Sequence, residues 1–185
     1  MRTLKRNPLK KREHLSIRFR RMLNFNADIS EAAANEIDVG ACVIVVECAG
    51  RFLFGYNKYR RYWEIPGGKR EDDETLLECA MRELEEESGQ VVNTAIFSGL
   101  VTMHVKGFGI TSAGVYFVKL DHIKSTTLTN EWTALNLWKL TELNDNVDSV
   151  ARDIIVHVTA HKPDIACEGH GRRDRGREIE PRSVP

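Results

Sequence analysis

The alternation of apolar and polar positions separates strands from helices along the chain. Ala41–Glu47 is a continuous β-branched run, as expected of a buried strand. Ala49-Gly50 interrupts it, and Arg51–Tyr56 is predicted to pair back as a hairpin. Tyr62–Ile65 reads as a further short strand, stopped by Pro66-Gly67-Gly68. Residues 74–87 follow the helical period instead. At about 100° per residue, Leu76, Ala80, Glu83 and Glu87 form one stripe, flanked by Leu77 and Leu84. Gly89 is a natural left-handed stop for this helix. Thr94–Val105 and Ile110–Leu120 read as long strands around the Gly107-Phe108-Gly109 turn. Leu135–Leu140 is another strand, Val147–His161 a closing amphipathic helix, and Ala27–Asn35 a short helix or loop. Strands flank helices without regular βαβ repetition, which predicts an α/β fold with a mixed sheet between helices.

The stripe on the 74–87 helix changes the picture. It places two acids, Glu83 and Glu87, beside the apolar side that faces the core. Like charges at i,i+4 repel, and burying them is costly. A hard cation compensates, because Mg²⁺ takes oxygen ligands from a few carboxylates and from substrate phosphates. Glu78 and Glu85 project to the opposite side and fit a solvated helix face.

The spacing Gly68, Glu74, Arg82-Glu83-Leu84, Glu86-Glu87 and Gly89 resembles the Nudix box, G-x5-E-x7-R-E-U-x-E-E-x-G-U, where U is bulky and aliphatic. Every fixed position matches. Gln90 departs from the second U, with Val91 directly after it. The preceding Trp63-Glu64-Ile65-Pro66-Gly67 is similar to the usual approach to the box. The resemblance implies an α/β/α sandwich with a mixed β-sheet. It also implies hydrolysis within the diphosphate of a nucleoside diphosphate linked to a further group, with Mg²⁺ or Mn²⁺.

Carried over by the resemblance, Glu83, Glu86 and Glu87 are the expected metal ligands, joined by a backbone carbonyl of the Gly67-Gly68 turn. Arg82 is expected to orient or partly neutralise the acids, and Glu74 to pair with Arg82. The general base is either a box glutamate or an acid outside the box, for which Glu131 is the candidate. Arg61, Trp63, Glu64, Lys69 and Asn146 are candidate substrate contacts. Arg61, with its neighbours Lys58 and Arg60, can reach phosphates or merely line a charged hairpin edge. Trp63 either stacks on a base or packs in the core, and Asn146 is placed to read a purine edge. The segment Trp63–Lys69 is similar to that of MutT-type nucleoside triphosphate hydrolases. That favours conversion of a nucleoside triphosphate to the monophosphate and pyrophosphate, with oxidised purine nucleotides among the expected substrates. ADP-ribose or nucleotide-sugar pyrophosphatase, RNA 5′-end pyrophosphohydrolase and a non-catalytic nucleotide-binding module are the alternatives. The complete acidic set argues against the last.

Composition sets the outer bounds. A chain of 185 residues has room for one domain, and its formal net charge of zero gives no global field toward nucleic acid. No stretch has the apolar length of a membrane span. Cys42, Cys48, Cys79 and Cys167 lack zinc-ligand spacing and point to a reducing, cytoplasmic setting. Residues 1–36 read as a basic extension, with an edge strand over Leu15–Phe25. Its strongly basic part, Met1 to about Phe25, is compatible with a transit peptide or with an arm that attracts RNA phosphates. Residues 37–161 are the expected catalytic domain, and 162–185, where His170 lies, a disordered polar tail. Partners beyond a small nucleotide, and the oligomeric state, are left open by the sequence.

Overall fold

The computed structural model describes residues 20–161 apart from 38, 126–127 and 129–130. The expected polar tail and the first nineteen residues of the basic extension lie outside the described residues. Eight strands form one sheet among these: β1 (Arg20–Asn26), β2 (Ala41–Cys48), β3 (Arg51–Asn57), β4 (Tyr62–Glu64), β5 (Gly67–Lys69), β6 (Ile96–Val105), β7 (Gly109–Leu120) and β8 (Trp132–Trp138). Three α-helices accompany them: α1 (Glu31–Glu36), α2 (Leu76–Ser88) and α3 (Ser149–His161).

The main strand path runs β1-β6-β7-β2-β3-β4, with β5 paired to β2 and β8 to β3. Only the β2–β7 pairing is parallel among the described strands, so the sheet is mixed. β2 lies inside it, and its residues alternate between two cores. Cys42, Ile44 and Val46 face α2 through Leu76, Cys79, Ala80 and Leu84. Val45 faces α3 through Val150, Ala151, Ile154, Ile155 and Val158. The sheet therefore sits between helices.

Local chemistry accounts for the boundaries. The β2–β3 hairpin closes through Ala49 and Gly50, both at positive φ, which suits the twist of a two-residue turn. The main helix begins at Leu76 rather than at 74 because Thr75 caps it. Its hydroxyl accepts from the Glu78 N–H, and the Glu78 carboxylate accepts from the Thr75 N–H at 2.7 Å. Gly89 ends the helix at φ 68°. Gln90 fills the place of the aliphatic residue. It is wholly buried, its amide donates to the carbonyls of Ser88 and Lys124, and its oxygen accepts from the Lys124 N–H. Val91 does not take over that packing, since it is half exposed. The β5 strand has no sequence signature, because Gly-Gly-Lys carries no apolar pattern.

The sheet begins upstream of Ile37. β1 pairs with β6 from Arg20 opposite Val105 to Asn26 opposite Leu100. Among the described residues, no helix is long and apolar enough to cross a membrane.

Candidate active site

The site is built where β5 meets α2. β5 lies against β2, with Val43 opposite Gly67 and Cys42 opposite Gly68. Glycine is required at Gly67, and at Gly68 it leaves the room that the Glu83 carboxylate occupies. A Cβ on Gly67 would meet the Cys42 carbonyl oxygen and Val43, and a Cβ on Gly68 would fall on the Glu83 carboxylate. The turn thus gives way so that two glutamates can approach it. Glu83 lies against Gly68, and Glu87 accepts a hydrogen bond of 2.9 Å from the Gly67 N–H.

Arg82 organises the outer side. Its guanidinium meets Glu74 at 2.7 and 3.1 Å, Glu83 at 2.9 Å and Glu86 at 3.3 Å, and donates to the Lys69 carbonyl at 2.9 Å. Arg82 therefore joins the turn before α2 to the helix itself. Its hydrogen bonds hold the Glu74 carboxyl below the ordinary glutamate range. Glu86 is the most open of the three expected ligands, with its side chain 59% exposed. Lys69 is exposed and its backbone serves Arg82.

The inner acids behave differently. Burial pushes the Glu87 carboxyl well above its usual range, and the charges of Glu64 and Glu83 push it further. The Gly67 N–H only partly offsets this. Burial likewise raises Glu83, against the pull of Arg82. Among the described residues no ion pair forms to Glu87. Two desolvated carboxylates beside a glycine turn fit a hard divalent ion, which supplies the missing positive charge to oxygen donors. No ready-made group of three ligands is assembled among the described residues; Glu86 bonds to Arg82 instead.

Behind Glu87 lies a second charged layer that the spacing of the sequence does not reveal. Glu64 is 3% exposed and accepts from Asn57 at 2.8 Å, Arg60 at 2.6 Å and the Trp132 indole at 3.3 Å. Arg20 of β1 donates to Asp148, just ahead of α3, at 2.5 Å and comes within 3.8 Å of Glu64. No sequence signal joins Arg20 to Asp148, because the pair is 128 positions apart.

Several candidate substrate residues have other roles. Trp63 is 7% exposed, with its ring edge-on to Tyr56 and Trp138 at centroid distances of 5.3 and 4.7 Å. It packs in the core, and its buried indole has no open face for a base. Glu64 is held inside by the partners just described, so its contacts are with the protein. Arg61 is exposed at φ 62°, where its N–H closes the β3–β4 turn on the Asn57 carbonyl. Arg60, not Arg61, turns inward. Asn146 is exposed, and its backbone carbonyl accepts from Trp63 at 2.8 Å. The Glu131 carbonyl accepts from Lys58 at 3.0 Å. No hydrogen bond joins the Glu131 carboxylate to the box acids among the described residues.

Gly67 and Gly68 open into a cleft of about 510 Å³. Arg20, Arg60 and Lys69 line it too, as do Met103, Val105 and Phe108 of the β6–β7 hairpin. Its size is that of a small-molecule site, roughly 300–1,000 Å³. Two buried acids thus stand beside a glycine turn that lines a cleft with cationic and apolar walls.

The NUDIX domain model matches residues 36–157, and the chain belongs to the Nudix family. It is accordingly a hydrolase of the pyrophosphohydrolase type, acting on phosphoric anhydride bonds. The fold is similar to that of the Bacillus subtilis pyrophosphohydrolase BsRppH, at 21% identity over 74% of this chain and 89% of that one, with a TM-score of 0.57. It is also similar to a MutT NUDIX hydrolase from Burkholderia pseudomallei, at 24% identity over 64% and 95%, TM-score 0.54. A third likeness is the NUDIX domain of Shewanella oneidensis NrtR, solved with ADP ribose, at 14% identity over 72% and 94%, TM-score 0.57. Among curated proteins, none matches the chain in sequence.

Proposed function

We propose that the chain is a Mg²⁺- or Mn²⁺-dependent pyrophosphohydrolase of nucleoside triphosphates, releasing the monophosphate and pyrophosphate. The observation that carries this reading is the pair of buried carboxylates, Glu83 and Glu87, set against the Gly67-Gly68 turn that lines the cleft. Glu83, Glu86 and Glu87 would hold the ion. When bound, the ion neutralises phosphate charge and lowers the pKa of a bound water. The protein contributes position and electrostatics, which dominate phosphoryl chemistry. Arg82 keeps Glu83 oriented through its bond to that carboxylate. Arg60 and Arg20 stand on the cleft wall, where Glu64 and Asp148 hold them in place.

The similarity of Trp63–Lys69 to MutT-type enzymes favours triphosphates, with oxidised purine nucleotides included. RNA 5′ ends are the second reading. The sequence just upstream of Arg20 is rich in Lys and Arg, and Arg20 itself lines the cleft. A cytoplasmic setting, which the cysteine spacing of the sequence suggests, goes with this reading. A substrate panel with Mg²⁺, scored for phosphate against pyrophosphate release, tests the reading. Triphosphates should outpace ADP-ribose and nucleotide sugars. The reverse order would overturn the triphosphate assignment.

A further inference from the structure

The phosphates of a nucleotide must lie by Glu83 and Glu87 at the Gly67-Gly68 turn, so the rest of the molecule has to extend elsewhere. The cleft that Gly67 and Gly68 line is also lined by Met103, Val105 and Phe108. Phe108 is the aromatic residue among those lining it, and it is 57% exposed. We propose that Phe108 is the platform on which the nucleobase of the substrate stacks. The inference rests on the nucleotide reading given above and names the residue that grips the base.

The turn that presents Phe108 is short and specified. Val105 pairs with Gly109, leaving Lys106, Gly107 and Phe108 as the loop. The Phe108 N–H donates to the Val105 carbonyl at 3.0 Å. Gly107 and Gly109 have φ of 89° and 88°, a region that disfavours other residues. The Phe108 backbone is therefore placed by the closure of the turn. Met103 and Val105 continue the same apolar wall inward. The competing aromatic, Trp63, is buried against Tyr56 and Trp138 and has no face to offer.

Stacking recognises a flat π-surface and not a hydrogen-bonding edge, so it serves every base and favours the larger purines. Such a contact is worth about 1–3 kcal/mol by alanine substitution, or roughly fivefold to more than a hundredfold in affinity. Phe108→Ala should raise KM for a purine nucleoside triphosphate about tenfold and leave kcat near its original value. The inhibition constant of inorganic tripolyphosphate, which has no base, should not move. A Phe108→Trp variant provides a readout without turnover. With Mg²⁺ present, GMP, which has no anhydride bond to hydrolyse, should quench the fluorescence of the added indole, while ribose 5-phosphate should not. An unchanged KM in Phe108→Ala, an equal loss for tripolyphosphate, or no selective quenching by GMP would each overturn the platform. Failure of the nucleotide reading is distinguishable: the unsubstituted protein would then turn over no nucleotide at all.

Discussion

The Glu87 carboxylate accepts a hydrogen bond from the Gly67 N–H at 2.9 Å, joining the last turn of α2 to the glycine turn that opens the cleft. This bond fixes one of two desolvated acids in place before any cation arrives. Without a cation, the geometry costs stability. Replacing Glu87 by Gln keeps an acceptor for Gly67 and removes the charge. We expect activity to fall on the order of a hundredfold or more, because charge stabilisation by a metal is worth several kcal/mol. The melting temperature in chelator should rise. Unchanged turnover at saturating Mg²⁺ would place Glu87 outside the ion site.

The pH dependence of metal-free stability follows from the same two acids. Burial raises Glu87 and Glu83 above ordinary glutamate values. In that window the folded state binds more protons than the unfolded state, so stability falls as pH rises. Denaturant melts in chelator should therefore weaken as pH rises through the interval above about 4.3, the ordinary glutamate value. Saturating Mg²⁺ should reduce that slope, and Glu87→Gln should do so without metal. A slope of opposite sign that Glu87→Gln leaves unchanged would contradict the assignment.

Gly68→Ala places a methyl group on the Glu83 carboxylate. The carboxylate has to move, and its bond to Arg82 moves with it. We expect at least about a tenfold loss in kcat/KM, equivalent to about 1.4 kcal/mol of transition-state stabilisation, with the fold retained by circular dichroism. Activity close to that of the unsubstituted protein would mean that the close approach is not needed.

The Arg20–Asp148 pair fastens β1 to the start of α3. Its side chains are 18% and 10% exposed. Arg20→Ala strands a buried carboxylate and should destabilise by about 3 kcal/mol. Adding Asp148→Asn should recover part of that loss, since the stranded charge is then gone. Chemical denaturation of the two single variants and the double variant measures the coupling. Strict additivity would show that the pair does not act as a unit.

How far the sequence could be read depended on the distance over which each feature is specified. The α2 stripe, the Gly89 stop and the β2–β3 hairpin depend on neighbours a few positions apart, and periodicity exposes them. Thr75 and Glu78 form a legible capping box that would have moved the helix start to Leu76. The inward turn of Arg60 instead of Arg61 depends on one left-handed residue in a tight turn, which composition does not signal. Burial of Trp63 depends on Trp138, far along the chain, so its role stays open until the strands are paired. The Arg20–Asp148 link has no local signature of any kind.

The most direct test of the central claim is hydrolysis of a purine nucleoside triphosphate followed by ³¹P NMR, in Mg²⁺ and in excess chelator. The account predicts nucleoside monophosphate and pyrophosphate in Mg²⁺, with turnover lost in chelator and restored when the ion is returned. Undiminished hydrolysis in chelator, or release of inorganic phosphate in place of pyrophosphate, would contradict it.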